Sequence, residues 1–180
     1  MKRIMKSQPN LKILITKRQI KKKIKQLAKE ISRDYKGKIP LLIAVLKGSF
    51  MFLADLVREL SIDIEIEFIE LSSYGDSTES SGEVRVIKWL KKKIENRDIL
   101  LIEDIVDTGL TLSTLLNKIK KNDPSSLKIC CLTSKPARRE IDVPIDYLGF
   151  EVPNKFIVGY GIDYDEIYRN LPEIYFLENE

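Results

Sequence analysis

The sequence contains no histidine, which removes the residue most often used as a catalytic base or as a nitrogen ligand for metals. Serine–histidine and cysteine–histidine nucleophiles and histidine metal sites are therefore excluded. Any chemistry must come from carboxylates, lysine, arginine, tyrosine or backbone amides. A hard cation held by oxygen atoms, such as Mg²⁺, is the metal that this inventory favours.

Cysteine is nearly as scarce. The only two, Cys130 and Cys131, are adjacent within an apolar run over 127–132. Neighbouring residues of a strand point to opposite faces, so a disulfide between them is geometrically poor. Small core residues in a reducing compartment explain the pair better, and we expect a cytoplasmic protein.

Long apolar runs and a strong charge bias are also missing. No run approaches the ~18 residues that span a bilayer, and the N-terminus has no apolar signal region, so no membrane association is expected. The net charge is only +4, from 31 basic and 27 acidic residues, which does not indicate nucleic-acid binding. The lysine run over 21–23 is interpreted as a solvated helix face. The 180 residues, 43% of them hydrophobic, predict one domain with a full core.

What is present is an alternation of strand and helix patterns. The apolar spacing predicts helices over 16–35, 50–60 and 111–119, and strands over 41–46, 62–68, 84–89, 98–102 and 127–132. This order is typical of an α/β fold with a parallel sheet and right-handed crossovers. The polar segment 72–83 is either a functional lid or a disordered insertion. Beyond residue 136, short strands and turns predict a small lobe over the carboxyl edge of the sheet.

The segment 99–111 carries the chemical signal. An apolar strand is followed by Glu103, Asp104 and Asp107, and then a Thr-Gly-x-Thr turn opens a helix. Carboxyl ends of parallel strands are where α/β folds bind ligands, and a helix N-terminus binds phosphate through its free amides. A P-loop motif is absent, and a dinucleotide fingerprint would need two more glycines. We therefore expect the acids to bind sugar hydroxyls and magnesium while the turn binds a phosphate monoester.

This segment resembles the signature of the type I phosphoribosyltransferases that binds 5-phosphoribosyl-1-pyrophosphate (PRPP). Several other segments are similar to the hypoxanthine-guanine phosphoribosyltransferase branch of that family. They follow the family order from about residue 41 to 172 and cover 45–49, 72–75, 134–136, 155–164 and 168–172. Six segments in the right order are far more specific than one signature alone.

The resemblance implies a type I phosphoribosyltransferase fold, with a parallel sheet flanked by helices. A small hood would be formed by N-terminal residues and roughly residues 136–180 of a single domain over 1–180. The implied activity is purine salvage, in which the phosphoribosyl group of PRPP passes to hypoxanthine, and also to guanine. The products would be IMP or GMP and pyrophosphate, formed by a dissociative displacement. A homo-oligomer, dimer or tetramer, is also implied.

The resemblance assigns the reaction centre to the same segment. Asp107 would be the general base at purine N7, because the ring becomes acidic as N9 bonds to the ribose. The alternative is a turn-forming aspartate that caps the helix through Thr108. Glu103 and Asp104 would hold ribose hydroxyls or waters of the magnesium–pyrophosphate complex, whereas the alternative is a solvated strand end. The 5′-phosphate would be bound by Thr108, Gly109, Leu110 and Thr111, where Leu110 replaces a lysine found in other family members.

The resemblance assigns pyrophosphate binding to the backbone of Lys47 and Gly48 and to the guanidinium group of Arg169, with a cis peptide bond before Lys47. The alternative for Lys47 is a surface lysine at a strand end. Ser73 and Tyr74 would close over the pyrophosphate to exclude water, although a disordered polar loop fits the same composition.

Purine recognition would use Lys135 as a donor to the 6-oxo group, Phe156 as a stacking ring and Ile157 through its backbone. The alternative for Phe156 is an ordinary core aromatic. Asp163 would bind a second Mg²⁺. Two rivals remain at this stage: a regulator with this fold that binds RNA or DNA, and a transferase that prefers xanthine or a pyrimidine.

Overall fold

The computed structural model describes residues 10–73 and 84–178. Its helices are α1 (Lys17–Asp34), α2 (Phe50–Glu59) and α3 (Leu110–Lys120). Its strands are β1 (Leu11–Ile15), β2 (Leu41–Leu46), β3 (Glu65–Ser73), β4 (Val84–Lys88), β5 (Asp98–Val106), β6 (Ser126–Ser134), β7 (Tyr147–Glu151), β8 (Ile157–Val158) and β9 (Ile174–Leu177). A single 3-10 turn follows β6 over Pro136–Arg138. No described helix combines the length and apolar character required to cross a membrane.

The strands form two sheets. The large sheet has the order β4-β3-β2-β5-β6-β7, and it is parallel except for the edge strand β4. In the small sheet, the central strand β9 pairs antiparallel with β1 on one side and with β8 on the other. Because β1 and β9 lie near the two ends of the described chain, this sheet brings those ends together. The α/β class expected from the sequence is confirmed. The 136–180 hood range needs one correction, because β7 pairs with β6 as the edge of the large sheet.

The core lies on both faces of the large sheet because its central strands are apolar at successive positions. On β5, Leu100 and Ile102 pack with α1 and α2, whereas Ile99 and Leu101 pack with α3. Strands buried on both faces read as continuous apolar runs, which is the pattern of parallel sheets. The same alternation places Cys130 and Cys131 on opposite faces, buried and unbonded.

Strand β5 is longer than its apolar pattern predicts. The run over 98–102 predicts a strand that stops before the acids, whereas β5 continues to Val106 because β6 pairs with it as far as Ser134. Glu103 and Asp104 therefore lie inside the strand, and the pleat directs them to opposite faces of the sheet. Only the pairing with β6 decides this, since both residues are hydrophilic.

Strand β3 differs from its predicted bounds in the same way. It covers Glu65–Ser73 instead of 62–68, because its parallel pairing with β2 begins where Glu65 meets Leu41. Ile62 and Ile64 precede the strand and pack at the margin of the core.

Candidate active site

Three loops meet at the carboxyl edge of the large sheet, where β2, β5 and β6 end. The loop after β2 carries Lys47 and Gly48, and the bond between Leu46 and Lys47 is cis, as expected. Gly48 lies so close to Asp104 that a Cβ atom at position 48 would overlap the Asp104 carboxylate. Gly161 (φ +102°) approaches the same loop from the opposite side, where a Cβ atom would overlap the carbonyl oxygen of Gly48. Gly48 is thus packed closely against the Asp104 side chain and the Gly161 backbone, although these residues are far apart in sequence.

The turn after β5 has the geometry of an anion site. Gly109 precedes α3 with φ +88° and has no side chain that could cap the helix. Of the first amides of α3, that of Leu110 donates to Oγ1 of Thr108 at a long 3.4 Å. The carbonyl oxygen of Thr108 accepts hydrogen bonds from the amides of Glu140 and Ile141, at 2.9 and 3.0 Å. These two hydrogen bonds fix the turn to the segment after β6. The amides at the start of α3, together with the Thr111 side chain, can bind a phosphate.

Burial raises the pKa values of the carboxyl groups of Glu103 and Asp104. Glu103 is only 7% exposed, and burial, followed by the charge of Asp104, raises its pKa well above the ordinary range. Burial likewise raises the pKa of Asp104 to about 6, which backbone hydrogen bonds and the charge of Arg169 partly oppose. The Oε2 atom of Glu103 has no hydrogen-bond partner in the described structure. An incoming hydroxyl, water or cation would satisfy both groups.

The pKa of Asp104 predicts a pH-dependent stability. Because it lies above the ordinary value, folding favours the protonated carboxyl, and this contribution is lost as the pH rises through about 6. We expect ligand-free Asp104→Asn to gain stability over wild type between about pH 4 and 7, by up to roughly 3 kcal/mol. Denaturant unfolding at a series of pH values measures this difference.

The matched control is Asp98→Asn at the start of the same strand. There the hydroxyl of Ser126, and then Lys38, lower the carboxyl pKa, so the ionised form stabilises the fold above the ordinary pKa. Asp98→Asn should therefore lose stability toward neutral pH, with the sign opposite to that of Asp104→Asn. A pH-independent difference for Asp104→Asn would contradict the assigned burial effect.

Asp107 lies at the end of β5 beside two cations. Its Oδ2 atom is 3.3 Å from Nη1 of Arg138, and its charge raises the pKa of Lys135 against the lowering effect of burial. Its Oδ1 atom is buried and accepts no hydrogen bond from any described residue. Gly109 is the N-cap of α3, and the Asp107 side chain makes no capping hydrogen bond among the described residues. The alternative of a cap through Thr108 is met only by the 3.4 Å bond from the Leu110 amide to Thr108 Oγ1.

An aromatic ring and a buried ammonium group face each other beyond Asp107. Lys135 is 5% exposed, and its Nζ atom lies 5.9 Å from the centroid of the Phe156 ring. Phe156 is 40% exposed, and the ring of Tyr164 packs nearly perpendicular to it, with centroids 5.2 Å apart. An exposed ring held in this way can stack on a planar ligand, and it is not an ordinary core aromatic. Ile157 lies next to it in β8 and is buried.

The remaining assigned residues form an ionic cluster above Gly48. Arg169 binds Asp163 with a distance of 2.8 Å between Nη2 and Oδ1, and its Nη1 atom donates to the carbonyl oxygen of Gly161 at 2.9 Å. Lys47 binds Glu166 with 3.0 Å between Nζ and Oε2. Ser73 ends β3, but its side chain and all of Tyr74 lie outside the described part of the chain.

Sequence reasoning missed three residues of this edge, Arg138, Arg139 and Glu166, and gave Tyr164 no role of its own within the segment 155–164. Arg139 ties the ends of β5 and β6 together, since its Nη2 atom donates to Ser134 Oγ at 2.7 Å and contacts the carbonyl oxygen of Val106 at 3.5 Å. The adjacent arginines after Lys135 are a visible signal, whereas nothing in the sequence distinguishes Glu166 from other exposed acids.

The described residues hold no cluster of three or more metal-ligating side chains. A metal at this edge would therefore need ligands from a substrate or from water in addition to the protein.

A family model described as the phosphoribosyl transferase domain matches residues 11–165. The chain therefore belongs to the phosphoribosyl transferase family.

Within this family, several of its relatives are named hypoxanthine-guanine phosphoribosyltransferases. The protein of that name from Bacillus subtilis is 50% identical over 163 residues, which cover 91% of each chain. A Bacillus anthracis crystal structure of the same name, with HEPES in its active site, is 45% identical with a TM-score of 0.89 and covers 94% of this chain and 99% of its own. A Staphylococcus aureus hypoxanthine phosphoribosyltransferase has a TM-score of 0.90 at 41% identity and covers 99% and 96%.

Proposed function

We propose that this protein transfers the 5-phosphoribosyl group of PRPP to hypoxanthine and guanine, giving IMP or GMP and pyrophosphate. One observation carries the proposal: a phosphate-binding turn, an acceptor carboxylate and a buried ammonium beside an exposed aromatic ring all lie at one sheet edge. This arrangement fits a substrate that has a phosphate at one end and a planar oxo-heterocycle at the other.

The ribose phosphate would lie in the turn over 108–111, where amides, not a lysine, supply the donors. Lys47, Gly48 and Arg169 would bind the pyrophosphate, and Glu103 and Asp104 the ribose hydroxyls. Negative charge near the anomeric carbon also stabilises the positive charge that develops there as the bond to pyrophosphate breaks. Ser73 and Tyr74 would exclude water at this stage.

The purine would stack on Phe156, with its 6-oxo group facing Nζ of Lys135 and backbone groups of Ile157 nearby. Its N7 would then face Asp107, whose Oδ1 atom has no hydrogen-bond partner among the described residues and could accept a proton. As N9 bonds to the anomeric carbon, the N7 proton becomes acidic and passes to Asp107. Adenine would present an amino group to Lys135, so two donors would face each other.

Magnesium fits the acidic residues of this edge. Asp163 lies close enough to Asp104 for its charge to raise the pKa of Asp104, and Glu103 has a free buried oxygen. Glu103 and Asp104 would contact the Mg²⁺–pyrophosphate complex, directly or through water, and Asp163 would bind a second Mg²⁺. Substrate oxygens and water would supply the other ligands, because the described side chains form no three-residue ligand cluster. The ion would supply charge neutralisation to the leaving pyrophosphate.

The proposed function also indicates a cellular compartment. PRPP and the purine base are cytoplasmic metabolites, and the two unbonded buried cysteines fit a reducing compartment.

Residues 1–180 would act as one domain, with the small sheet as the hood over the purine site. We also propose a homo-oligomer, dimer or tetramer.

A PRPP-dependent assay with Mg²⁺ tests the activity directly. Hypoxanthine, guanine, xanthine and adenine are compared by formation of nucleoside monophosphate and pyrophosphate. We expect turnover with hypoxanthine and guanine and little with adenine. A preference for xanthine would change the substrate, whereas no consumption of PRPP with any base would contradict the proposal. Salt-sensitive binding of RNA without PRPP turnover would support a regulator instead.

A further inference from the structure

Glu166 occupies a position that the proposed reaction does not use. Its Oε2 atom lies 3.0 Å from Nζ of Lys47, and its Oε1 atom lies 3.5 Å from Nη2 of Arg169. Those two cations come from distant parts of the chain, one from the loop after β2 and one from the segment before β9. Arg169 is assigned to pyrophosphate through its side chain and Lys47 through its backbone, so the Lys47 ammonium group lies beside the same proposed site. One carboxylate therefore bridges both, as an oxyanion ligand would.

The backbone holds this carboxylate in place. Asp165 and Glu166 have positive φ angles of 51° and 63°, which are uncommon for residues other than glycine. The amide of Glu166 donates to Oδ2 of Asp163 at 2.9 Å, which closes the turn. Left-handed residues of this kind cost energy and tend to be retained at functional sites. The position of Glu166 is thus set by its turn as well as by its two ion pairs.

The formal charges of the four side chains in this ionic cluster add up to zero. Lys47 and Arg169 supply two positive charges, and Glu166 and Asp163 supply two negative charges. The hydrogen bond from Lys47 lowers the pKa of Glu166, so this carboxylate is ionised at neutral pH. A pyrophosphate group that entered without moving Glu166 would meet no net positive charge from these side chains.

We propose that Glu166 is a placeholder for pyrophosphate: its carboxylate binds Lys47 and Arg169 in the free enzyme and is displaced when pyrophosphate binds. This inference rests on the proposed function, because it places pyrophosphate beside Lys47 and Arg169. Exposed ion pairs are weak, and the Glu166 side chain is 65% exposed, so the exchange has a low cost. The exchange weakens pyrophosphate binding, which favours release of the product, and it keeps the cations arranged between turnovers.

The test is calorimetric titration of inorganic pyrophosphate, with Mg²⁺, into wild type and Glu166→Gln. Losing two exposed ion pairs that compete with the ligand should make the variant bind pyrophosphate about 2–10-fold more tightly at low salt. The difference should shrink as ionic strength rises toward about 1 M, because screening removes the competing pairs. The affinity for IMP, whose phosphate would bind in the turn over 108–111, should be the same for Glu166→Gln and wild type.

Glu65→Gln is the matched control. Glu65 also bridges a lysine and an arginine, Lys92 and Arg97, at the start of β3, away from the site. It should leave pyrophosphate binding unaltered. Equal or weaker pyrophosphate binding by Glu166→Gln, or an effect that salt does not reduce, would overturn the placeholder role. The titration needs no turnover, so a failure of the transferase activity would be seen separately, in the assay with purine bases.

Discussion

Replacing Asp107 with asparagine is expected to lower kcat about 10²–10⁴-fold, the range typical of losing a general base. Asparagine keeps the size and the oxygen acceptor of the side chain but cannot take the N7 proton. The Oδ1 atom of Asp107 is buried without a partner among the described residues, and Arg138 binds only Oδ2. The loss should therefore fall on the chemical step, while KM for PRPP changes little. Pre-steady-state formation of IMP measures that step.

The control for this variant is Asp146→Asn. Asp146 also lies beside a strand end, but its Oδ2 atom accepts a backbone hydrogen bond from Ile129 at 2.8 Å, which is a purely structural contact. That variant should lose stability and retain its kcat. If Asp107→Asn behaved like Asp146→Asn, with normal turnover and a lower melting temperature, Asp107 would be a turn residue and not the base.

Replacing Lys135 with methionine is expected to reduce the preference for hypoxanthine over adenine about 10–100-fold. The ammonium group is almost fully buried, and burial lowers its pKa. Such a donor discriminates strongly, because a wrong partner leaves it unpaired at a cost of roughly 1–3 kcal/mol. Methionine has a similar length and no donor, so hypoxanthine loses its hydrogen bond and adenine loses its repulsion. The ratio of kcat/KM for the two bases is the measurement.

Lys118→Met provides the comparison for Lys135→Met. Lys118 also lies over an aromatic ring, with its Nζ atom 4.4 Å from the centroid of Trp89, but it belongs to the far end of α3. Its removal should leave base selectivity intact. A selectivity ratio for Lys135→Met equal to that of wild type would refute the contact with the 6-oxo group.

Periodicity predicted most of the fold because it reports burial directly. The runs 41–46, 98–102 and 127–132 could only be strands covered on both faces, and the structure places them side by side as β2, β5 and β6. The ends of the elements were less accurate where polar residues continue a strand. Glu103 and Asp104 show why: pairing with β6 extends β5, and hydrophobicity carries no signal for that extension.

Some residues of the candidate site could likewise be assigned from the sequence, and others could not. Asp107, Lys135 and the turn over 108–111 could be assigned because each lies in a contiguous motif that resembles the family. Glu166 could not be assigned, because the role proposed for it depends on its contact with Lys47, which is 119 residues away in sequence. Arg139 is a similar case, since its contacts with Val106 and Ser134 exist only once β5 and β6 are paired.

The sequence by itself determined the α/β class, the buried strands and the chemistry available to a chain without histidine, because these follow from local composition and spacing. Only the tertiary structure decided which charged groups face one another across the cleft and which carboxylates are buried. Long-range packing alone sets the distances and the loss of solvent on which electrostatic energies depend.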